Sequence, residues 1–418
     1  MEYPKPLKFI FVHRLSQLTQ SPYRLQKDCD ADSVLTRIAD DTSNIPDYLA
    51  AFGNHHLSPT SPSVTPGTVM WLASCSKLIT SIAALQCVER SLFSLDSPTD
   101  VTRLLPEWND AQILTGFADS GEPILQPATQ KMTLRHLLTH TSGMSYDFMH
   151  PLLMKWRASR GEKSLSITTP ILTGFMTPLV AEPGECWGYS SSIDFAGLMI
   201  ARANNCTLES YLQDNMFSVL NMQSTSFHPR NNESMMQRLL PTTTRISPTE
   251  FVDGEPDAIL PVPVNPTDEF GGGGLFSTAE DFLKVLKSIM NGDGRLLTSP
   301  SIDQMFTPAL TPEQTSTLHI PLSIPSIASI MAPGEVPGSG SWQHSVAGLM
   351  GMHDSDDGFT PGWIQWGGAP NLKWWIDRKG GTCGFLGTQL NPAGDVGVGA
   401  LSKVFQKAVV ERVEGGSK

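Results

Sequence analysis

A serine and a lysine that could act as a nucleophile and its base stand three residues apart, at Ser74 and Lys77. They begin an apolar, amphipathic stretch, residues 78–88, and the pattern predicts a helix from Ser74 to about Ser91. Side chains three residues apart lie on one face of a helix, so the hydroxyl and the amine would point the same way. A desolvated lysine can lose its proton and accept that of a serine hydroxyl. The pair is therefore suited to forming a covalent acyl-enzyme.

The Ser-x-x-Lys tetrad alone does not identify an enzyme, because a serine-rich chain of this length should contain about one by chance. In the alternative interpretation, Ser74 caps the helix and Lys77 is a solvated residue of its first turn. Cys75 could suggest a thiol nucleophile instead. It is followed by a lysine and has no partnered histidine nearby, so we expect it to pack as a small side chain.

Composition bounds the class of protein. The 418 residues are 40% hydrophobic and 17% charged, which is typical of a globular chain that forms one compact unit. The formal net charge of -12 argues against binding nucleic acid or an anionic membrane through bulk electrostatics. We therefore expect neither nucleic acid nor a membrane among the partners.

The cysteine pattern and the apolar stretch near residue 10 indicate the cellular compartment that we expect for the protein. Six cysteines, at 29, 75, 87, 186, 206 and 383, form no Cys-x-x-Cys pair, which fits neither a zinc site nor a disulfide scaffold. The apolar stretch at 7–12 is too short for the core of a signal peptide, and no stretch reaches membrane-spanning length. We expect a reduced, cytoplasmic protein.

Hydrophobic periodicity places helices in the middle of the chain and strands late in it. Helices are predicted at 133–138, ended by the sequence Thr-Ser-Gly at 141–143, at 192–203, and from a capping box at Ser277 to Gly292. Strands are predicted at 373–377, 385–390 and 396–401, as an antiparallel meander that precedes a helix from about Ser402. Middle helices and late strands indicate the α+β class.

Two motifs resemble ligand sites but lack a required residue. His136 and His140 have the spacing of a zinc pair, yet Leu137 stands where a His-Glu-x-x-His enzyme needs its carboxylate, which favours packing or capping. The glycine run at 271–274 lacks the Gly-Lys-Ser/Thr of a phosphate loop, so we expect close backbone packing there.

Tyr189 follows the turn sequence Pro-Gly-Glu at 183–185, just before the helix predicted at 192–203. A tyrosine whose phenol is acidified by a nearby ammonium could share the proton-transfer work with Lys77. Spacing alone favours the alternative, a buried structural tyrosine.

Five motifs stand in a recognisable order, at 71–77, 137–143, 189–191, 270–277 and 366–368. Together they resemble the serine β-lactamase-like superfamily, in its class C and family VIII esterase branch. Within that branch, residues 133–151, 270–277 and 367–374 are similar to the fungal polyketide transesterases of the lovastatin acyltransferase type. The resemblance covers roughly residues 65–410.

The resemblance implies roles for several residues. Ser74 is expected to be the nucleophile, Lys77 its base and Tyr189 the second proton-transfer residue. The N–H groups of Ser74 and Ala369 are expected to bind the oxyanion. The wall of the substrate pocket is assigned to the strand residues Trp366, Gly367 and Gly368. Neither a metal nor a cofactor is implied.

The chain departs from the family pattern in three places. Trp366 begins the sequence Trp-Gly-Gly where lactamases carry Lys-Thr-Gly, so the cation that recognises a lactam carboxylate is absent and antibiotic hydrolysis is not expected. Tyr189 is followed by two serines, without the usual asparagine. Residues 1–50 lack the clear helix and strand pair that begin the family's sheet, which could leave one sheet edge unmade.

We therefore expect a β-lactamase/transpeptidase-like α+β fold, in which an antiparallel sheet is built largely from the C-terminal strands and flanked by helices. Residues 1–60 are an uncertain, atypical segment, and 61–418 form the catalytic domain. A mainly helical subdomain is expected at about 95–275, with the active site between it and the sheet part.

The expected function is acyl transfer from a carrier-protein or coenzyme A thioester to an alcohol of a polyketide-like secondary metabolite. A carboxylesterase that uses water is an alternative, since it would need the same residues. A catalytically silent binding protein is a second alternative.

Overall fold

The structure, a computed structural model, describes residues 8–13, 47–58, 60–164, 170–254, 263–264, 266–336 and 338–415. Of the N-terminal segment that the sequence left uncertain, residues 1–7, 14–46 and 59 lie outside the described residues, and so does Cys29. Of the cysteines that the structure describes, Cys75, Cys87, Cys186 and Cys206 are free thiols.

The strands are β1 (Lys8–His13), β2 (Asp47–Phe52), β3 (Val69–Trp71), β4 (Gln112–Phe117), β5 (Pro123–Pro127), β6 (Thr243–Arg245), β7 (Phe251–Asp253), β8 (Phe276–Thr278), β9 (Trp342–His344), β10 (Leu349–Gly351), β11 (Trp363–Gly368), β12 (Leu372–Asp377), β13 (Thr382–Gly387) and β14 (Leu390–Asn391).

The helices are α1 (Ser76–Glu89), α2 (Pro98–Leu104), α3 (Leu134–Leu138), α4 (Pro151–Ser159), α5 (Ile171–Phe175), α6 (Ser192–Asn204), α7 (Leu208–Leu212), α8 (Ser218–Leu220), α9 (Glu233–Gln237), α10 (Ala279–Asn291), α11 (Ser299–Met305), α12 (Pro312–Leu322), α13 (Pro325–Met331) and α14 (Val396–Gly415). A 3₁₀ turn, Ala73–Cys75, leads directly into α1.

The main sheet confirms the predicted antiparallel core and adds two strands to it. In the described part of the chain it has seven strands, in the order β2-β1-β13-β12-β11-β10-β9. Strands β9 to β13 are antiparallel, whereas β1 pairs in parallel with both β13 and β2. Parallel neighbours need a long connection, and the chain between β1 and β2 has the required length. The edge that the sequence left open is therefore occupied.

Helix α1 is the central helix, and it is buried on every side. Its residues from Ser76 to Cys87 are all buried, and it packs against α6. The predicted amphipathic pattern was wrong, because small and polar side chains such as Thr80 and Ser81 also face protein here. A helix that is enclosed all round holds its first turn rigidly, which is the turn that carries Lys77.

Two predicted helix ends lie one turn or one residue away from their expected positions. Helix α10 is capped by Thr278, whose side chain accepts the Asp281 N–H, while Ser277 belongs to β8. Helix α3 ends at Leu138, and the next left-handed residue is His140 (φ 58°), before the Gly143 that was expected to close the helix. The predicted helix at 192–203 is confirmed as α6.

The strand predicted at 396–401 was wrong, because α14 begins at Val396. Asp395 accepts the Val398 N–H at 3.0 Å and so caps this helix. Val398 is 2% exposed and Leu401 6%, whereas Val396 is 87% exposed. The two buried residues are thus three positions apart, which is the spacing of a helix face. The strand prediction was misled because Val396 and Val398 alternate with glycines, as apolar residues do in a strand. The strands predicted at 373–377 and 385–390 correspond to β12 and, in part, to β13 and the separate β14.

None of the helices in the described ranges combines the length and the apolar character that crossing a bilayer requires. The boundaries of a helical subdomain near residues 95 and 275 stay a prediction.

Two valines in the first turn of α14 give a paired test of its helical assignment. Val398→Asp should lower the free energy of unfolding by at least about 3 kcal/mol, because it buries an unpaired carboxylate. Val396→Asp should change it by no more than about 0.5 kcal/mol. Urea unfolding of both variants measures the difference, and equal losses would contradict the helical assignment, since only a strand turns both side chains to one face.

Candidate active site

A strained turn presents Ser74 at the start of the central helix. Ala73 adopts a left-handed conformation (φ 45°), which costs an ordinary residue roughly 1–2 kcal/mol. The Ser76 hydroxyl holds this turn, because it donates to the Ala73 carbonyl at 2.7 Å and accepts the Leu275 N–H at 3.2 Å. The turn leaves Ser74 half-buried and Cys75 fully buried.

Burial raises the pKa of the Cys75 thiol, which keeps it protonated and confirms its expected packing role.

The Lys77 amine lies in the interior, with only 5% of the residue exposed. Within the described residues it donates to three oxygens, namely Ser74 Oγ at 3.3 Å, Tyr146 Oη at 3.2 Å and the Gly272 carbonyl at 2.6 Å. Since an ammonium carries three N–H groups, all of them have an acceptor. Lys77 is therefore not the solvated first-turn residue of the alternative interpretation, and Ser74 makes no side-chain cap.

Tyr189 joins the same cluster from the loop before α6. Its hydroxyl donates to Ser74 Oγ at 2.6 Å, and Lys77 Nζ lies 4.9 Å from the centre of its ring. The structure thus brings Ser74, Lys77 and Tyr189 together across 115 positions of sequence. The alternative of a purely structural tyrosine does not account for a hydroxyl aimed at the serine.

Tyr146 was missed by the sequence analysis. It follows the predicted 137–143 motif by three residues, and its backbone N–H donates to the Tyr189 carbonyl at 3.3 Å. Burial raises the pKa of Tyr146 well above the ordinary value, and the neighbouring Tyr189 and Asp194 raise it further. The phenol therefore stays neutral. No spacing rule could have found it, because its partner Lys77 lies 69 positions away.

His140 contacts the ring of Tyr189 and is itself buried. Its ring packs edge-on against Tyr189 with the ring centres 5.0 Å apart, and its Nδ1 lies 3.2 Å from both Ser190 Oγ and Ser192 Oγ. Burial, with the help of His344 and Lys77, holds the pKa of His140 well below its usual range. A neutral imidazole therefore adds no charge beneath the tyrosine.

The two histidines of the zinc-like spacing pack and cap, as predicted. His136 Nδ1 accepts the Thr133 N–H at the start of α3, which completes a capping box. No group of three metal-ligating side chains occurs among the described residues.

The end of β11 lies directly against the turn that carries Ser74. A Cβ added at Gly368 would come within 2.6 Å of the Leu72 carbonyl oxygen, so only glycine permits this approach. The Trp366 ring packs on Tyr189, with the ring centres 5.3 Å apart. Ala369 begins the turn after β11 and is half-buried. Trp366 and Gly368 therefore lie against Tyr189 and the turn that carries Ser74, whereas a Cβ at Gly367 would meet the Leu372 and Ile330 carbonyls instead.

The glycine run confirms the predicted close packing. The Gly271 carbonyl accepts from Thr80 Oγ1 at 2.8 Å and the Gly273 carbonyl from Trp71 Nε1 at 2.7 Å. A Cβ at Gly272 would meet Asp194 Oδ2 at 2.5 Å, whereas one at Gly273 would meet nothing within 4 Å. The run therefore holds the Gly272 carbonyl that faces Lys77.

The hydrogen-bond partners of the Lys77 amine determine the direction in which a proton can move between Lys77 and Ser74. A carbonyl can only accept, so the amine must keep one N–H on Gly272, and a second can go to the neutral phenol of Tyr146. When Lys77 is neutral, its lone pair then faces Ser74, which can donate its proton. The geometry suits covalent catalysis at a serine.

Comparison with known proteins agrees with this geometry. The family model described as beta-lactamase matches residues 47–411. Monacolin J acid methylbutanoyltransferase of Aspergillus terreus is 36% identical over 361 residues, which cover 85% of each chain. Lovastatin esterase of Penicillium rubens is 35% identical over 319 residues, covering 76% of this chain and 78% of the esterase. A mutant of simvastatin synthase from Aspergillus terreus superimposes with a TM-score of 0.79 at 34% identity, covering 87% of each chain.

The two tyrosine hydroxyls should contribute unequally to acylation of Ser74. Tyr189→Phe removes the hydroxyl that touches Ser74 and should slow acylation by about 10²- to 10⁴-fold, the usual effect of losing a proton-transfer group. Tyr146→Phe removes one acceptor of Lys77, and we expect roughly a tenfold loss. Stopped-flow measurement of p-nitrophenol release from p-nitrophenyl butyrate gives both rates. A larger loss in Tyr146→Phe would reverse the two roles.

Proposed function

The chain belongs to the β-lactamase family, and we propose that it is a serine acyltransferase acting on an alcohol of a polyketide-like molecule. Ser74 would carry the acyl group between donor and acceptor. One observation carries the proposal, namely that the Ser74 hydroxyl lies between the Lys77 amine at 3.3 Å and the Tyr189 hydroxyl at 2.6 Å. The names of the relatives supply the substrate class, since one transfers a methylbutanoyl group to monacolin J acid.

The first half-reaction would load the serine. The neutral Lys77 amine takes the Ser74 proton, and Oγ attacks the carbonyl carbon of a thioester. The tetrahedral intermediate then collapses, the C–S bond breaks, and the leaving thiolate receives a proton from the Lys77 ammonium, directly or through Tyr189. The acyl group remains on Ser74 as an ester.

The second half-reaction would empty the serine in the same way. The acceptor alcohol gives its proton to the neutral Lys77 amine, directly or through Tyr189, which passes on its own proton as it receives one, and the alcohol oxygen attacks the acyl carbon. The bond to Ser74 Oγ breaks, and that oxygen is reprotonated. No other reactant is needed, and the order is ping-pong.

The oxyanion of each intermediate would be bound by the N–H groups of Ser74 and Ala369. Ser74 is the second residue of a 3₁₀ turn, where the helix itself supplies no acceptor for the N–H. Ala369 directly follows Gly368, whose close approach to the Leu72 carbonyl supports this assignment. Its turn is held by Asn371, whose side-chain amide donates to the Leu390 carbonyl at 2.7 Å. A fixed pair of amides stabilises such an intermediate by several kcal/mol, about 3 kcal/mol for each donor.

Aromatic side chains next to Lys77 support an apolar acceptor. Phe148 stacks on Tyr146 with the ring centres 5.3 Å apart, and Phe175 packs between Tyr146 and Phe270. Phe148 is half-buried and extends this surface outward. The rings would cover the carbon skeleton of a polyketide while its hydroxyl reaches Ser74. The thioester donor would come from coenzyme A or from an acyl carrier protein.

Hydrolysis is the second candidate, because lovastatin esterase is a relative at 35% identity. Water and an alcohol would use the same proton-transfer groups. The remaining alternative is a catalytically silent binding protein. It gives no reason for the Ser74 hydroxyl to lie between the Lys77 amine and the Tyr189 phenol.

Acylation should be specific to Ser74. Intact-mass analysis after exposure to p-nitrophenyl butyrate should show one added butanoyl group in the wild-type protein, because Ser74 is half-buried and accessible. Ser74→Ala should abolish the adduct, while Cys75→Ala, which removes the neighbouring buried thiol, should keep it. An adduct that persists in the Ser74→Ala variant would show that another residue is the nucleophile.

Transfer and hydrolysis can be distinguished by the product that receives the acyl group, which is an ester in the first reaction and a free acid in the second. With a butanoyl thioester of N-acetylcysteamine, a decalin alcohol should yield its butanoyl ester and raise the rate of thiol release, because a bound alcohol competes with water for the acyl-enzyme. Chromatography of ester and free butanoate, with ethanol as a control acceptor, gives the partition. Butanoate alone at every alcohol concentration would favour the esterase.

A further inference from the structure

A buried carboxylate, Asp194, lies behind the site, and no step above uses it. It belongs to α6, five residues after Tyr189, and is 1% exposed. Its Oδ1 accepts the backbone N–H of Gly272 at 2.8 Å. The carbonyl of the same glycine accepts from Lys77 Nζ at 2.6 Å. One residue of the glycine run therefore links the carboxylate to the lysine amine.

The link requires glycine at 272. A Cβ there would lie 2.5 Å from Asp194 Oδ2 and 3.0 Å from its Cγ, closer than real contacts allow. The neighbouring Gly273 has no such constraint, since a Cβ would meet nothing within 4 Å. Because a buried carboxylate is costly unless it is hydrogen-bonded, its place against Gly272 calls for a functional explanation.

We propose that Asp194 is a positioning residue that acts through Gly272 to hold the Lys77 amine in the orientation that takes the Ser74 proton. The inference rests on the proposed function, in which Lys77 is the base. By binding the Gly272 N–H, the carboxylate fixes the direction of the Gly272 carbonyl. That carbonyl occupies one N–H of the amine, and this leaves the lone pair free for Ser74.

Charge gives the carboxylate a second effect on the same lysine. Burial raises the pKa of Asp194 to about 6, and the Lys77 ammonium opposes that rise. The two groups are therefore coupled through charge as well as through Gly272. The other titratable groups facing this pair are the phenols of Tyr146 and Tyr189, the His140 imidazole and the Cys75 thiol. Replacing the carboxyl group removes a titration near pH 6 from the site.

The isosteric variant separates these two effects. Asp194→Asn keeps an oxygen for the Gly272 N–H but loses the charge. We expect its acylation rate at pH 8 to stay within about threefold of the wild-type rate, because the oxygen that accepts the Gly272 N–H remains, and the inflection near pH 6 that Asp194 gives the wild-type profile to be absent from the variant. The measurement is single-turnover acylation by p-nitrophenyl butyrate between pH 5 and pH 9.

The truncated variant removes the acceptor itself. Asp194→Ala should slow acylation about 100-fold at every pH while the KM for the ester changes less than threefold, because binding does not involve Lys77 orientation. Gly273→Ala is the matched backbone control and should acylate within twofold of the wild-type rate. Thermal melts check that each variant folds.

The outcomes are distinguishable. A wild-type protein that forms no acyl-enzyme would overturn the proposed function and this inference together. Normal wild-type acylation with an equally fast, folded Asp194→Ala would overturn the inference alone, and so would an Asp194→Asn variant as slow as Asp194→Ala. If Asp194→Ala does not fold, Asp194→Asn decides, since a folded Asp194→Asn that acylates about 100-fold more slowly than the wild-type protein contradicts a role that needs only the acceptor oxygen.

Discussion

A single buried amine constrains the architecture around the site. Lys77 cannot be enclosed unless each of its N–H groups has an acceptor, because an unpaired polar group inside a protein costs several kcal/mol. One of its three acceptors is Ser74 on the same turn, and the other two come from distant parts of the chain, namely Tyr146 on the loop after α3 and Gly272 in the glycine run. The central helix, that loop and the run before β8 must therefore meet at one point, and the packing of α1 against α6 makes this possible.

The close backbone approaches around this point explain two unusual features of the sequence. The glycines at 272 and 368 stand where a side chain would collide with Asp194 or with the Leu72 carbonyl. Ala73 accepts a left-handed conformation so that Ser74 faces the amine while Cys75 turns into the core. Strain and buried charge of this kind lower stability, and they are found mainly where a reactive geometry must be kept.

The sequence could predict what is local and periodic. The spacing of Ser74 and Lys77, the helix α6, the strand β12 and the capping role of His136 all follow from residues a few positions apart. Tyr189 was a candidate from the turn before α6, but only the ordered motifs favoured it over a structural tyrosine. Tyr146 and Asp194 were missed, because their partners lie 69 and 78 positions away and no periodicity connects them. The helix predicted from about Ser402 is present, but its first six residues, 396–401, were misread as a strand since two valines alternate there, although Asp395 in front of them is a cap. The parallel pairing of β1 had no signal, because register between distant strands depends on tertiary contacts.

In the proposed mechanism, the choice between alcohol and water cannot lie in the proton-transfer groups, since both acceptors would need the same lone pair on Lys77 and the same phenol on Tyr189. Holding a reactant in place is worth an effective concentration of up to about 10⁵ to 10⁸ M, which is the advantage an alcohol needs over the abundant solvent. Three aromatic side chains pack together next to Lys77, namely Tyr146, Phe148 and Phe175, and of these Phe148 is the half-buried one that a ligand could meet. Tyr146 would thus belong to both halves of the problem, because its hydroxyl accepts from the amine and its ring stacks on Phe148. A substitution that keeps its ring and removes its hydroxyl therefore separates orientation of the base from binding of the acceptor.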